Sequence, residues 1–216
     1  MKIIVFGSTG GTGRAVISRL LQQGHMVTAF ARDASKLAAA PGLTIVHGDV
    51  MQLSDVQRAM AGHQAIVVSL GNSQNPFALL VGARRTTPPN VCEIGTKNII
   101  AAVDPAAPVR LIAVTAFGIG DTRDKLPFAF KMFYRLVLRE HMVDKENQEA
   151  ALKASYLDYV LVQPVALTDK PPAGAWLASA SGDIRKREVS RSDVAAFIAE
   201  EIAAPRYSRQ TIAFSG

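Results

Sequence analysis

The chain of 216 residues is 49% hydrophobic and 19% charged, a balance that belongs to globular proteins and excludes a mainly disordered one. No apolar run approaches the roughly 18–20 residues that span a bilayer, and the apolar stretch 3–6 is stopped by Gly7 short of the ~7–15 residues of a signal-peptide core, so a cytoplasmic protein with no membrane partner is expected. The net charge of +6 comes from scattered basic residues, with no helix-turn-helix, no RNA-binding aromatic signature and no basic tail, which fits a positive field for an anionic small ligand better than direct nucleic-acid binding.

Apolar runs of strand length alternate with segments of helical period. Residues 3–6 read as a first strand and 13–23 as a helix with Val16, Ile17 and Leu20 on one face. Residues 26–30 and 44–47 read as the second and third strands, and 65–70 as a continuous apolar fourth strand of the kind buried on both faces. A helix is expected over 90–103, a fifth strand over 109–115 and helical segments within 128–155. A sixth strand over 159–163 stops at Pro164; a helix over 192–203, capped by Ser190 or Ser192, and a strand over 211–214 complete the pattern. This order predicts one domain over residues 1–216, an α/β Rossmann-type fold with a doubly wound parallel sheet in three αβα layers. Ligands of such sheets bind beyond the carboxyl ends of the strands. Functional residues are therefore expected after Phe6, Phe30, His47, Leu70, Thr115 and Gln163, with substrate-side loops at about 71–87, 117–127 and 168–190.

Directly after the first strand comes Gly7-Ser8-Thr9-Gly10-Gly11-Thr12-Gly13, opening the first helix. Side chains at the glycines would block the tight turn and the approach of a pyrophosphate, while the helix N-terminus offers N–H groups and the positive end of its dipole. Gly7, Thr9, Gly10, Gly11, Thr12 and Gly13 are thus candidate cofactor-binding residues, the alternative being a flexible glycine turn. No lysine follows the last glycine, which excludes a Walker A loop.

The second strand ends Phe30-Ala31-Arg32-Asp33, without an acid at the strand end to bind the ribose 2′-OH of NAD. Arg32, with Lys36 a turn further on, can clasp the 2′-phosphate of NADP. Asp33 is the competing NAD reading, but Ala34 and Ser35 after it fit a helix cap. The expected cofactor is NADP(H). Asp49 and Val50, after the third strand, would flank the adenine, Asp49 being otherwise a turn residue after Gly48; Leu70 and Gly71 join the set after the fourth strand, and Pro164 after the sixth.

Cys92 stands alone, so no intrachain disulfide can form; within an apolar helix it reads as a buried hydrophobe, the alternative being a nucleophile. His25, His47, His63 and His141 show no metal-ligand spacing, and no metal is expected.

The G-x-x-G-x-x-G loop, with ARDASKL, HGDV, VSLG, EIGTKNIIAAV, VTAF, DKENQEAALKASYLDYVLVQP and VSRSDVAAFI, resembles the NmrA-like, atypical branch of the short-chain dehydrogenase/reductases over nearly the whole chain. Within that branch it is most similar to the flavin reductase/biliverdin-IXβ reductase group. The resemblance implies an NADPH-dependent oxidoreductase that reduces flavins, quinones or similar conjugated acceptors by direct hydride transfer. The wider superfamily commonly uses a Tyr-x-x-x-Lys pair with a nearby Ser or Thr. Lys145 matches the Lys and Thr115 the Ser/Thr, and both are expected to hold the nicotinamide half, the alternative for Lys145 being a solvated helix residue. The Tyr position is His141, which could serve as an acid, since an unperturbed His pKa near ~6.5 suits proton transfer, or be an ordinary helix residue. Tyr134 and Tyr156 lack a Lys at that spacing. Hydride delivery to a conjugated ring can dispense with the Tyr, because the cofactor carries the chemistry and water can supply the proton.

Phe77, Phe117, Phe128, Phe130 and Trp176 fall in or beside the substrate-side loops, and would suit a planar substrate or ordinary core packing. Arg84, Arg85, Arg123 and Lys125 could meet the carboxylates or phosphates of an anionic substrate, or be solvated loop charges. Two other functions compete. One is a non-catalytic NADP(H)-binding, redox-sensing regulator of the NmrA-like type, acting through a protein partner. The other, a sugar-nucleotide epimerase or dehydratase, is weakened by the missing Tyr and the short C-terminal region.

Overall fold

β1 (Lys2–Phe6) explains the layering. Ile3 and Val5 project to one side of the sheet and Ile4 and Phe6 to the other, and all four are buried. The same alternation runs through β4 (Ala65–Val68), β5 (Arg110–Val114) and β6 (Asp158–Pro164), so the central strands feed two separate cores. The computed structural model describes residues 1–72, 82, 84, 87–127, 131–133 and 136–216; Phe77, Arg85, Phe128, Phe130 and Tyr134 lie outside the described residues, as do parts of 71–87 and 128–155.

With β2 (Met26–Ala31), β3 (Leu43–His47), β8 (Leu177–Ser179) and β10 (Gln210–Ser215), these strands form an eight-stranded sheet in the order β3-β2-β1-β4-β5-β6-β10-β8. Seven strands pair in parallel; β8 runs antiparallel to β10, so the sheet is mostly rather than wholly parallel. β7 (Ala166–Thr168) and β9 (Glu188–Ser190) pair separately. These three short strands turn the expected loop 168–190 into a partly ordered excursion.

α1 (Gly11–Gln22) and α5 (Arg191–Ala203) cover one face, burying Val16, Ile17, Leu20, Val194, Phe197 and Ile198. α2 (Leu53–Met60), α3 (Val91–Ala102) and α4 (Arg139–Lys153) cover the other through Val56, Ile99 and Leu152. The result is the expected three-layer Rossmann-type fold. α2 was absent from the sequence pattern because its stripe of Val56, Ala59 and Met60 is packed into eight residues, too few to declare a period. α1 stops where Gly24, at φ +78°, lets His25 N–H reach Leu20 O (3.1 Å) and its own N–H reach Leu21 O (2.9 Å), a glycine-ended helix that turns the chain into β2. Ser190, rather than Ser192, caps α5, its hydroxyl accepting from Asp193 N–H at 2.9 Å.

Among the described residues no helix is long and apolar enough to cross a membrane, and no group of three or more His, Cys, Asp or Glu is placed to hold a metal ion.

Candidate functional site

The strand order reverses between β1 and β4, which opens a crevice at their carboxyl ends. A groove there is lined by Gly7, Thr9, Gly10, Phe30, Ala31, Arg32, Lys36, Gly48, Val50, Ser69, Leu70, Gly71 and Val91. Most residues that the sequence marked for the cofactor thus meet in one place. The three glycines of the motif do different work. Gly7 sits at φ +78°, and a Cβ on it would stand 2.2 Å from Ser69 O, so it lets β1 and β4 close at the crevice floor. A Cβ on Gly13 would stand 2.2 Å from Gly7 O, so Gly13 lets α1 pack against the turn. At Gly10 a Cβ would have only Gly7 O within 4 Å, at 3.4 Å, so the space in front of Gly10 is open. Thr12 is buried below it, and the first-turn N–H groups of α1 have no intrahelical acceptor. No acidic residue sits in that first turn and no side chain caps it.

At the groove's other end Arg32 is exposed on the lining and Lys36 faces it from a short 3-10 turn, Ala34–Lys36. Asp33 is the cap of that turn, its Oδ1 accepting from the Ser35 hydroxyl (2.6 Å) and N–H (3.1 Å). The Ser35 hydroxyl bond holds its carboxyl below the usual range. Lys36 also lies 3.5 Å from Asp33. Asp49 closes a turn, its Oδ1 accepting from Met51 N–H at 3.0 Å; its neighbours Gly48 and Val50, not Asp49, line the groove.

Lys145, which does not itself line the groove, is tied to it through Leu70. Its ammonium donates to Leu70 O (2.6 Å), Val114 O (2.8 Å) and Gln148 Oε1 (3.2 Å), spanning the ends of β4 and β5. α4 is set against α3 by Asp144, whose buried carboxylate accepts from Cys92 N–H (2.9 Å) and Glu93 N–H (2.8 Å). One helix therefore caps the next, and Lys145 is aimed by the residue before it. Pro164 is buried at the end of β6, where its carbonyl accepts from Phe117 N–H at 3.0 Å.

Thr115, just past β5, donates its hydroxyl proton to Glu149 Oε1 at 2.6 Å. Gln163 Nε2 donates to the same oxygen at 2.7 Å, and Thr122 donates to Gln163 Oε1 at 2.6 Å. Glu149 Oε2 is buried without a hydrogen-bond partner, facing Gly120, and burial pushes the carboxyl's pKa up against the lowering effect of Gln163 and Thr115. No local sequence pattern joins this network, whose members come from four separate segments.

His141 lies one turn before Lys145 on α4 and is half-buried. Cys92 is 1% exposed, and burial pushes its thiol up to about 12, which leaves it inert as a nucleophile. Phe117 is 4% exposed and serves packing, while half-buried Trp176 packs on Phe214 with ring centroids 5.9 Å apart and also lines a second groove beside α1 and α5. Arg123 pairs with Glu146, and Lys125 with Asp183 at 3.4 Å.

An open space before Gly10, helix N–H groups without an intrahelical acceptor and two cations at the far rim leave room and positive charge for an anionic ligand along the crevice. The chain resembles known NAD(P)-binding proteins. An uncharacterized chloroplast protein of Arabidopsis thaliana is 28% identical over 210 residues, 93% of this chain and 71% of its own length. An anaerobilin reductase of Escherichia coli O157:H7 superposes with a TM-score of 0.79 at 25% identity, over 100% of this chain and 97% of that one. A short-chain dehydrogenase/reductase of Veillonella parvula, solved in complex with NADP, superposes with a TM-score of 0.81 over 100% of this chain and 94% of its own, at 15% identity, a likeness of fold alone. Residues 7–205 match the NAD(P)H-binding family, and the chain belongs to it.

Proposed function

We propose that the chain is an NADPH-dependent reductase that sends hydride directly to a conjugated acceptor (a flavin, a quinone or a linear tetrapyrrole) and draws the balancing proton from solvent. The observation that carries this reading is the arrangement around Lys145. Its ammonium is locked by two strand-end carbonyls, the nearby Thr115 hydroxyl gives its proton to Glu149, and the helix position one turn earlier is His141. These groups position better than they protonate. Reduction of an isolated carbonyl calls for a proton donor at the developing oxyanion. A conjugated ring spreads the incoming electron pair, so its nitrogen or oxygen can be protonated by water.

When bound, NADPH supplies the hydride and its two electrons, leaving as NADP⁺. The chain's residues do the rest. The loop 7–13 receives the pyrophosphate, Arg32 and Lys36 hold the 2′-phosphate and favour NADPH over NADH, and Lys145 orients the nicotinamide ribose. The likeness to the anaerobilin reductase over the whole chain supports an acceptor of the tetrapyrrole kind.

The test is anaerobic NADPH oxidation with a flavin, a quinone and a linear tetrapyrrole in turn, with NADH in parallel. One NADPH should be consumed per acceptor reduced with at least one of them, and NADH should be slower. Tight NADPH binding with no oxidation by any acceptor would replace the enzyme with a cofactor-sensing regulator.

A further inference from the structure

We infer that Arg191 is a ligand of the dinucleotide's pyrophosphate, reaching the phosphate loop from the opposite end of the chain. Arg191 is the first residue of α5, and its backbone is fixed by the Ser190 cap and by Asp193, which accepts from Ala173 N–H (3.0 Å) and Gly174 N–H (3.1 Å). Its side chain lies across the N-terminus of α1. A Cβ placed on Gly11 would stand 2.8 Å from Arg191 Nε and 2.9 Å from Cδ. The second glycine of the Gly10-Gly11 pair thus has a reason of its own: any side chain there would displace the guanidinium arm.

The charges around it point to an anion. The first turn of α1 holds no acid and no side-chain cap, so its positive end is uncompensated. Arg191 adds a full positive charge beside it. The anion it meets is Asp169, at 2.8 Å, on a side chain 85% exposed. The Asp169 end of the pair is open to water and so holds the 27%-exposed Arg191 side chain weakly, and the planar fork of Arg191 can exchange it for, or share it with, a phosphate oxygen. Arg32 and Lys36 would then read the 2′-phosphate from the groove lining, and Arg191, beside Gly11, the pyrophosphate.

The inference rests on loop 7–13 being the phosphate site. Binding of NADPH and of adenosine 2′-phosphate, which lacks the pyrophosphate, would be measured by titration for wild type, Arg191→Gln, Gly11→Ala, Asp169→Asn and Gly10→Val. Arg191→Gln should weaken NADPH about tenfold, as expected for an exposed charge-assisted contact, and leave adenosine 2′-phosphate unchanged. Gly11→Ala should reproduce the loss by displacing Arg191, and the double variant should lose little more. It also serves as the test if Arg191→Gln does not fold. Asp169→Asn should bind NADPH as tightly as wild type or more tightly, because it frees the guanidinium. If Arg191 only staples the 168–190 segment, Asp169→Asn will mimic Arg191→Gln, and the inference falls. It falls equally if Arg191→Gln keeps full NADPH affinity or weakens both ligands alike. Unchanged NADPH affinity in Gly10→Val would instead reject the loop as the phosphate site, and Arg191 with it.

Discussion

Gly120→Ala probes the buried network most sharply. Gly120 has φ +48°, and a Cβ there would stand 2.5 Å from Glu149 Oε2, so the substitution does two things. It places a Cβ in the left-handed region, at a cost of about 1–2 kcal/mol. It also forces the Glu149 carboxyl to move, and the bonds from Thr115 (2.6 Å) and Gln163 (2.7 Å) loosen with it. Weakening buried hydrogen bonds of this kind costs about 1–3 kcal/mol. Together the loss is about 2–5 kcal/mol, which at roughly 2–4 °C per kcal/mol for a chain of this size lowers Tm by roughly 4–20 °C. Denaturant unfolding of wild type, Gly120→Ala, Glu149→Ala and the double variant separates the two parts. With the carboxyl gone, Gly120→Ala should retain only its backbone cost, so the cycle should show a coupling of at least about 1 kcal/mol. Equal costs of Gly120→Ala with and without Glu149 would refute the contact.

Three further predictions follow from the site. Arg32→Ala should weaken NADPH by about 1–3 kcal/mol, the range of a charge-assisted contact, and spare NADH; wild-type protein that binds NADH as tightly as NADPH would overturn the assignment. Lys145→Ala should slow turnover on the order of 10²-fold by releasing the nicotinamide half, while His141→Phe should matter much less; the reverse ranking in steady-state rates with saturating NADPH would make His141 the acid. Because burial raises the Glu149 pKa from its ordinary 4.5, the folded state binds that proton more tightly than the unfolded one. That contribution is present below the unfolded value and is lost as pH rises through the folded one. Relative to Glu149→Gln, the wild type should therefore lose stability as pH climbs from 4.5 toward neutral, and a difference that does not vary with pH in unfolding curves would contradict it.

The fold was legible because its main signals are local. Val5 next to Phe6, then Gly7 and α1, announce a strand, a turn and a helix within one stretch of chain. Asp33 beside Ser35 announced its own cap, whereas the cap of α5 stayed open between Ser190 and Ser192 until the Ser190–Asp193 bond was placed. Where elements shrink to three residues, as in β7, β8 and β9, no period can be read. The groove residues after β1, β2 and β4 could be named from topology alone, since parallel strands place their carboxyl ends together. The contacts that tune the site could not. Asp144 capping α3, Thr115 committed to Glu149, and Arg191 over Gly11 each join segments distant in sequence. Phe117 shows the converse, since an aromatic in a loop segment looks the same in sequence whether it faces a cleft or the core.

Direct hydride transfer is tested by single-turnover reduction of a linear tetrapyrrole with NADPH carrying deuterium at the transferred position. The account predicts deuterium bonded to carbon in the reduced product and a slower reduction step than with unlabelled NADPH. A reduced product without deuterium would contradict it.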